Sequence, residues 1–361
     1  MDVFDGIAIN GLTIKNRFVR SAVWEGMAAD DGAVTPNLIN LMKNLAEGGT
    51  GLLISSFAYI QKNGKSHHGQ LGIYDDALIP GLREMCGEVH KAGASIFAQI
   101  VHGGVNADES RLELLCPSEM TTARGEKASA MTEGDIALWV EGFAHAARRA
   151  VSAGFDGVQI HGAHAYGLAQ FLSPYYNRRT DRYGSTIENR ARALIEVYRA
   201  VRNVVGENYP VTAKINSEDF IDGGVTPGMM VETAVIMESE GFDAVELSGG
   251  GGPAARYLAS RPGDFKTPDE EVYYREAALL YKKYVKKMPL MLVGGIRSLE
   301  VARQLLRDGL ADMISFGRPL VREPALVNRW ASGDTSRAAC VSCEGCRKPA
   351  LAGEGIRCIR L

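Results

Sequence analysis

Long hydrophobic runs are missing from this sequence: nowhere do the ~18 consecutive apolar residues of a membrane-crossing helix occur. The opening MDVFDGIAINGLTIKNR carries acidic residues early and lacks the apolar core of ~7–15 residues that a secretory leader needs. No long block of basic residues occurs and the net charge is -3, which argues against nucleic acid or an anionic membrane as the main partner. No internal repeat and no low-complexity segment stands out. Cysteine is scarce and unevenly placed. Cys86 and Cys116 are scattered, whereas Cys340, Cys343, Cys346 and Cys358 cluster in the tail, a pattern that suits a metal site in a reducing compartment better than disulfides. These absences leave a cytoplasmic protein acting on a small molecule as the expectation.

With 361 residues, 46% hydrophobic and 23% charged, the chain can bury a large core in one barrel or two domains. After a short hairpin around Ile7–Ile14, apolar strands and amphipathic helices alternate. Strands are expected at Phe18–Trp24, Gly51–Ile60, Ser95–His102, Gly157–His161, Val211–Asn216, Ala244–Ser248, Leu290–Val293 and Asp312–Phe316. Between them, Ile136, Val140, Phe143, Ala144, Ala147 and Val151 form a 3.6-residue stripe that ends at Gly154, and other helices close at Gly206, Gly241 and Gly309. Eight strand-helix units predict an α/β fold, a (β/α)8 TIM barrel with its active site at the C-terminal strand ends; a doubly wound sheet is the alternative.

The stretch from Gly157 to Ser185 carries the densest chemistry. In Val158-Gln159-Ile160-His161 apolar and polar residues alternate, so Gln159 and His161 share one face of a strand. His164 and Tyr166 follow at once. Two imidazoles and a phenol this close can bind an anionic oxygen and transfer a proton, although His161 and His164 could equally be half a metal site. By the same parity Thr212, Lys214 and Asn216 point into the barrel, as do Glu246 and Ser248, with Gln99 near the end of its strand. A buried lysine needs an anionic or acceptor partner, either a ligand or Glu246.

Val293-Gly294-Gly295-Ile296-Arg297 and Phe316-Gly317-Arg318-Pro319 end the last two strands. Each places glycine amides beside an arginine where such barrels hold a phosphate, and no GxGxxG dinucleotide turn accompanies them. Tight turns alone would explain the glycines but neither arginine. The glycine run from Ser248 to Ala254 allows close approach of a ligand, and the polar stretch from Gly103 to Gly134 is expected to be a lid or substrate-side excursion.

HGAHAYGLAQFLSP followed by NRRTDRYGSTIENR closely resembles the loop of the old yellow enzyme family of FMN-dependent ene-reductases, and the likeness extends to GLTIKNRFVRSA, FAQIVHGG, AKIN and FGRPL. The resemblance implies that Ser21, Ala22, Val23, Trp24 and Ser56 hold FMN and that Gln99 bonds the pyrimidine end of the flavin. It puts Lys214 beside flavin N1 and O2, and Gly295, Gly317 and Arg318 on the phosphate. It further implies that His161 and His164 bind a substrate carbonyl, that hydride passes from flavin to the β-carbon, and that Tyr166 protonates the α-carbon, with NAD(P)H as electron donor. Trp24 departs from the pattern, standing where relatives often carry a small hydroxyl or thiol near flavin O4, and could instead wall a substrate pocket.

Cys340-x2-Cys343-x2-Cys346-x11-Cys358 is similar to the iron-sulfur motif of the larger branch containing 2,4-dienoyl-CoA reductase and trimethylamine dehydrogenase. The resemblance thus implies a barrel over residues 1–335 and a tail over 336–361 that packs on it and carries a [4Fe-4S] cluster, with zinc or empty thiols as the rivals. An ene-reductase is the first expectation. Flavin-dependent amine oxidation with electrons leaving through the cluster is the second, and an electron-transfer subunit the third. A separate electron-donor protein and a homo-oligomer are both compatible with the resemblance.

Overall fold

The computed structural model describes residues 1–107, 113–122, 124–252, 255–263, 265 and 267–360. Eight parallel strands close into a barrel in chain order: β1 (Phe18–Arg20), β2 (Leu52–Tyr59), β3 (Ser95–Val101), β4 (Gly157–Gly162), β5 (Val211–Asn216), β6 (Ala244–Ser248), β7 (Leu290–Val293) and β8 (Met313–Phe316). β8 pairs back onto β1 with Ile314 opposite Phe18 and Phe316 opposite Arg20. This is the expected (β/α)8 barrel. No helix among the described residues is long and apolar enough to cross a membrane.

Both faces of these strands are covered, as parallel sheets require. Outward residues such as Val158, Ile160, Ala213 and Ile215 meet the helices in the main core. Inside the barrel, Val19, Leu52, Ile54, Phe97, Ala244, Met291 and Met313 form an apolar plug with Ile9 and Ile14 of the hairpin, so the bottom is closed. Gly157 opens β4 because a Cβ there would stand 2.6 Å from the Phe97 ring. The hairpin strands Ile7–Ile9 and Leu12–Ile14 turn at Asn10 and Gly11, both at positive φ.

Helix Glu133–Ala153 starts with a Thr132–Asp135 capping box and ends at Gly154 in the left-handed region. The expected stripe is partly shifted: Val151 is 44% exposed, while Trp139, Ala146 and Ala150 are buried. Tertiary packing thus uses a face rotated from the one that the stripe of apolar residues marks. The stretch after Gly103 is more ordered than a lid loop, because Leu114–Cys116, Met120–Thr121 and Lys127–Ala130 form a small sheet of their own; its residues 108–112 and 123 lie outside the described residues. Pro253 and Ala254 of the glycine run lie outside them too.

β1 stops at Arg20 rather than at Trp24, next to a buried ion pair. Arg20 and Glu25, 3% and 1% exposed, pair with each other, and Arg20 Nη1 also donates to the Ile54 carbonyl at 2.6 Å. Ser21 N–H still donates to the Phe316 carbonyl of β8 at 2.9 Å, and beyond it Ala22 to Trp24 leave the sheet over the barrel mouth. Glu25→Ala would leave a buried guanidinium without its partner and should cost about 3–5 kcal/mol. Chemical denaturation checks this; a loss below about 1 kcal/mol, the size of an exposed pair, would show that the buried pair contributes little.

Candidate active site

The expected polar layer exists and is continuous. Gln99 Nε2 donates to Gln159 Oε1 at 2.6 Å and Gln159 Nε2 to Glu246 Oε2 at 3.2 Å. Glu246 Oε2 lies 3.1 Å from Lys214 Nζ, which donates to Ser21 Oγ at 2.7 Å. All five residues are buried. Lys214 is therefore paired with Glu246, yet Lys214 and Gln99 still line the cavity above. Glu246 Oε1, Ser315 Oγ and His161 Nδ1 have no hydrogen-bond partner among the described residues. Orphaned buried polar atoms at a barrel mouth mark a floor built for polar ligand groups.

That cavity, about 810 Å³, spans the C-terminal ends of the strands and reaches Ser21 to Trp24, His161, His164, Tyr166, Gly295, Gly317 and Arg318. Ser56 is buried in the irregular part of β2 and is not among the lining residues; its neighbour Phe57 is. β4 delivers His161 inward, after which His164 and Ala165 both take positive φ, a turn that folds His164 and Tyr166 back over the mouth. Asn216 at the end of β5 accepts the His164 amide at 3.1 Å. The His161 ring then lies 5.1 Å from His164 and 5.3 Å from Tyr166 between centroids. His164 Nε2 is 2.7 Å from Ser248 Oγ.

Burial and the Lys214 ammonium hold His161 well below the usual histidine range. Burial, His161 and Lys214 do the same to His164. Both imidazoles are thus neutral near neutral pH and can serve as hydrogen-bond donors. Burial pushes the Tyr166 phenol up, against the opposing pull of the Arg347 charge. Tyr166 consequently keeps its proton available. His67, Phe57 and Arg347 complete this region, and none belongs to a recognisable sequence motif. Trp24 forms a wall: its Nε1 donates to the His68 carbonyl at 3.1 Å and its ring stands 5.0 Å from His67.

The two arginines at the ends of β7 and β8 line the cavity but also hold the tail. Arg318 pairs with Glu344 at 2.8 Å and donates to the Arg261 carbonyl at 2.8 Å. Arg297 donates to the Cys340 carbonyl at 3.0 Å and to Ser342 Oγ. Further along, Ile356 N–H donates to the Glu25 carbonyl at 2.8 Å, and Ala350 and Ile356 pack with Trp24 and Phe57. The tail is therefore one wall of the site.

Its four cysteines line a single small cavity with Arg318, Arg322 and Arg360. Among the described residues, however, no three His, Cys, Asp or Glu side chains are arranged to hold a metal ion, so the expected cluster site is not formed by the side chains as they stand. Cys358 Sγ instead accepts from Arg322 Nη1 at 3.2 Å and from the Arg360 amide at 3.4 Å. The backbone N–H of Gly345 pulls the Cys343 thiol down, while burial and Cys340 push Cys346 up.

The residues present fit a flavin mononucleotide. Lys214 and Gln99 lie over a polar floor, and Gly294 and Gly295 bring bare backbone to the cavity where a Cβ would stand 2.7–2.9 Å from Tyr274 or Tyr273. One monophosphate can meet Gly295, Gly317, Arg297 and Arg318 at the strand ends. Fold and site together define a barrel flavin oxidoreductase.

The chain belongs to the NADH:flavin oxidoreductase / NADH oxidase family, whose model matches residues 2–336, and so is an NAD(P)H-dependent enzyme of the old yellow enzyme type. It is 31% identical to 4,4'-dithiodibutanoate disulfide reductase of Rhodococcus erythropolis over 99% of this chain and 94% of that one. It is 32% identical to an NADH oxidase of Thermoanaerobacter brockii over 96% of this chain but 53% of that one. Its structure is similar to 2-naphthoyl-CoA reductase in complex with 2-naphthoyl-CoA (TM-score 0.89, 26% identity, 99% of this chain, 56% of that one). An old yellow enzyme homologue from Zymomonas mobilis matches with TM-score 0.79 and 26% identity over 93% and 94% of the two chains. The chain thus spans about half the length of the NADH oxidase and of the naphthoyl-CoA reductase.

Arg318→Ala removes a charged donor from the glycine-arginine end of the cavity and, if a phosphate binds there, should weaken flavin retention by about 1.5–3 kcal/mol. Fluorescence titration of the apoprotein with FMN measures this directly. An unchanged dissociation constant would mean that Arg318 serves the tail alone.

Proposed function

We propose that the chain is an ene-reductase acting on the activated C=C bond of an enone or enoyl compound. The observation that carries this reading is the convergence of neutral His161, neutral His164 and protonated Tyr166 on one cavity above the Lys214 layer. Reduced FMN, when bound, supplies the hydride. His161 donates to the substrate's carbonyl oxygen, and His164, steadied by Ser248, donates beside it. Donors already aimed at that oxygen stabilise the enolate-like charge as it develops. Tyr166 gives its proton to the α-carbon; its raised pKa keeps the phenol protonated until a carbanion is there to take it. Lys214 would stabilise the negative charge of a reduced flavin held over it, and Trp24 closes the substrate side. A neighbour solved with 2-naphthoyl-CoA supports an unsaturated thioester as one substrate form.

Amine oxidation with electrons passed to a separate carrier is the second reading, favoured by the likeness to histamine dehydrogenase from Rhizobium sp. 4-9 (TM-score 0.88, 26% identity, 99% of this chain, 51% of that one). A chain serving only as an electron-transfer subunit would have no use for the histidine and tyrosine group.

Tyr166→Phe should leave flavin reduction by NAD(P)H at the parent rate and slow the oxidative half-reaction by about 10²–10⁴. His161→Ala should weaken binding of carbonyl ligands as well. Parent-rate enone reduction by both variants in stopped flow would sink the assignment.

For the tail, we propose that Cys340, Cys343, Cys346 and Cys358 take up a [4Fe-4S] cluster, the soft thiolate set being suited to iron-sulfur ligation. Anaerobically prepared protein should contain iron and acid-labile sulfide in equal amounts. Zinc, or no metal after reconstitution, would rule this out.

A further inference from the structure

Tyr166 has a neighbour that none of the recognisable motifs contains. His67, in the loop between β2 and helix Ile79–Lys91, places Nε2 3.1 Å from the Tyr166 hydroxyl. The loop is built to keep it there. Gln70 is fully buried: its Oε1 accepts the amides of Ser66 at 2.7 Å and His67 at 3.2 Å, while its Nε2 donates to the Phe57 carbonyl at 3.1 Å in β2. Gly69, at φ +57, packs so tightly on Gly26 that a Cβ would stand 2.6 Å from its carbonyl carbon. The imidazole itself lies between Trp24, at 5.0 Å and 35°, and Phe57, at 6.0 Å and 75°. A buried glutamine, a glycine wedge and two aromatic rings therefore fix one half-buried histidine against one hydroxyl.

We infer that His67 is a proton relay that orients Tyr166 during proton transfer and reloads it afterwards; the inference rests on Tyr166 being the proton donor. A phenol has one proton to give and an oxygen that can also accept. If Tyr166 spent its proton on His67, none would face the substrate. With the ring protonated, Nε2–H donates to the Tyr166 oxygen, which leaves the phenol hydrogen free to point into the cavity. When the O–H bond breaks and the proton joins the substrate carbon, the new phenolate is met by a donor already in place. His67 then passes its Nε2 proton to that oxygen, becomes neutral and regains a proton from water. One proton enters from solvent per turnover, and the electrons come only from the hydride donor. His161 and His164 are differently occupied, since both face the cavity from β4 and its following turn and His164 Nε2 engages Ser248. His67 is a positioning residue, acting on substrate only through Tyr166.

The test compares His67→Ala, His67→Gln, Tyr166→Phe and the double variant His67→Ala/Tyr166→Phe as FMN-loaded enzymes, using NAD(P)H for the reductive and 2-cyclohexen-1-one for the oxidative half-reaction. His67→Ala should slow the oxidative half-reaction about 10–10²-fold, with flavin reduction and the flavin spectrum as in the parent. The double variant should be no slower than Tyr166→Phe alone, because the relay has nothing left to serve. Glutamine can donate a hydrogen bond but cannot carry a proton, so His67→Gln should stay slow. Parent-rate turnover by His67→Ala, losses that multiply in the double variant, or full rescue by glutamine would each overturn the relay. A Tyr166→Phe variant at the parent rate would sink the proton-donor reading beneath it, and the relay with it.

Discussion

The buried Lys214–Glu246 pair is the constraint on which the site depends. Placing two charges inside a barrel costs several kcal/mol per ion. Their mutual attraction at 3.1 Å returns about 5 kcal/mol at an effective dielectric constant near 20. The attraction falls short of the combined cost of the two ions, so the surrounding hydrogen bonds decide whether the arrangement survives. Gln159 supports Glu246, Ser21 supports Lys214, and Gln99 extends the chain of bonds to β3. Below this layer the barrel is filled with apolar side chains and the hairpin; above it, the same groups present a cation and an amide to whatever ligand binds. Stability and ligand recognition thus draw on the same residues.

A second consequence concerns the tail. Its anchor points are the arginines at the ends of β7 and β8 and the Glu25 carbonyl, which accepts the Ile356 amide. The Arg318 end and the Trp24 end of the cavity are therefore both bordered by residues beyond Ser336, and Cys346, Arg347 and Ile356 face into it directly. Changes at the cysteines would reach the cavity through Arg297 and Arg318 without crossing the barrel core.

How much of this is legible in the sequence depends on periodicity. Val211–Asn216 alternates so cleanly that its inward face, and hence the polar layer, follows from residue order alone, and the eight strands fall on the apolar runs that mark them. The end of β1 is hidden because Ala22-Val23-Trp24 prolong the apolar character of Phe18-Val19, and the Arg20–Glu25 pair beside which the strand ends leaves no trace in that run. The small sheet after Gly103 is hidden because strands of two to four residues leave no periodic trace. His67 and Arg347 escape notice for a different reason: one sits in a polar loop and the other in the tail, and each reaches the site through contacts between segments distant in sequence. The cysteine spacing is legible, yet spacing cannot reveal that Arg322 engages Cys358.

Hydride delivery from the reduced enzyme to an activated C=C bond can be followed by anaerobic mixing of photoreduced protein with cyclic enones and enoyl thioesters, alongside mixing of oxidised protein with amines. The oxidised flavin spectrum should return in step with formation of the saturated product, at a rate that saturates with enone concentration, and amines should leave the oxidised flavin unbleached. A flavin that stays reduced before every enone and enoyl thioester, but is bleached by an amine, would contradict hydride delivery to such a bond.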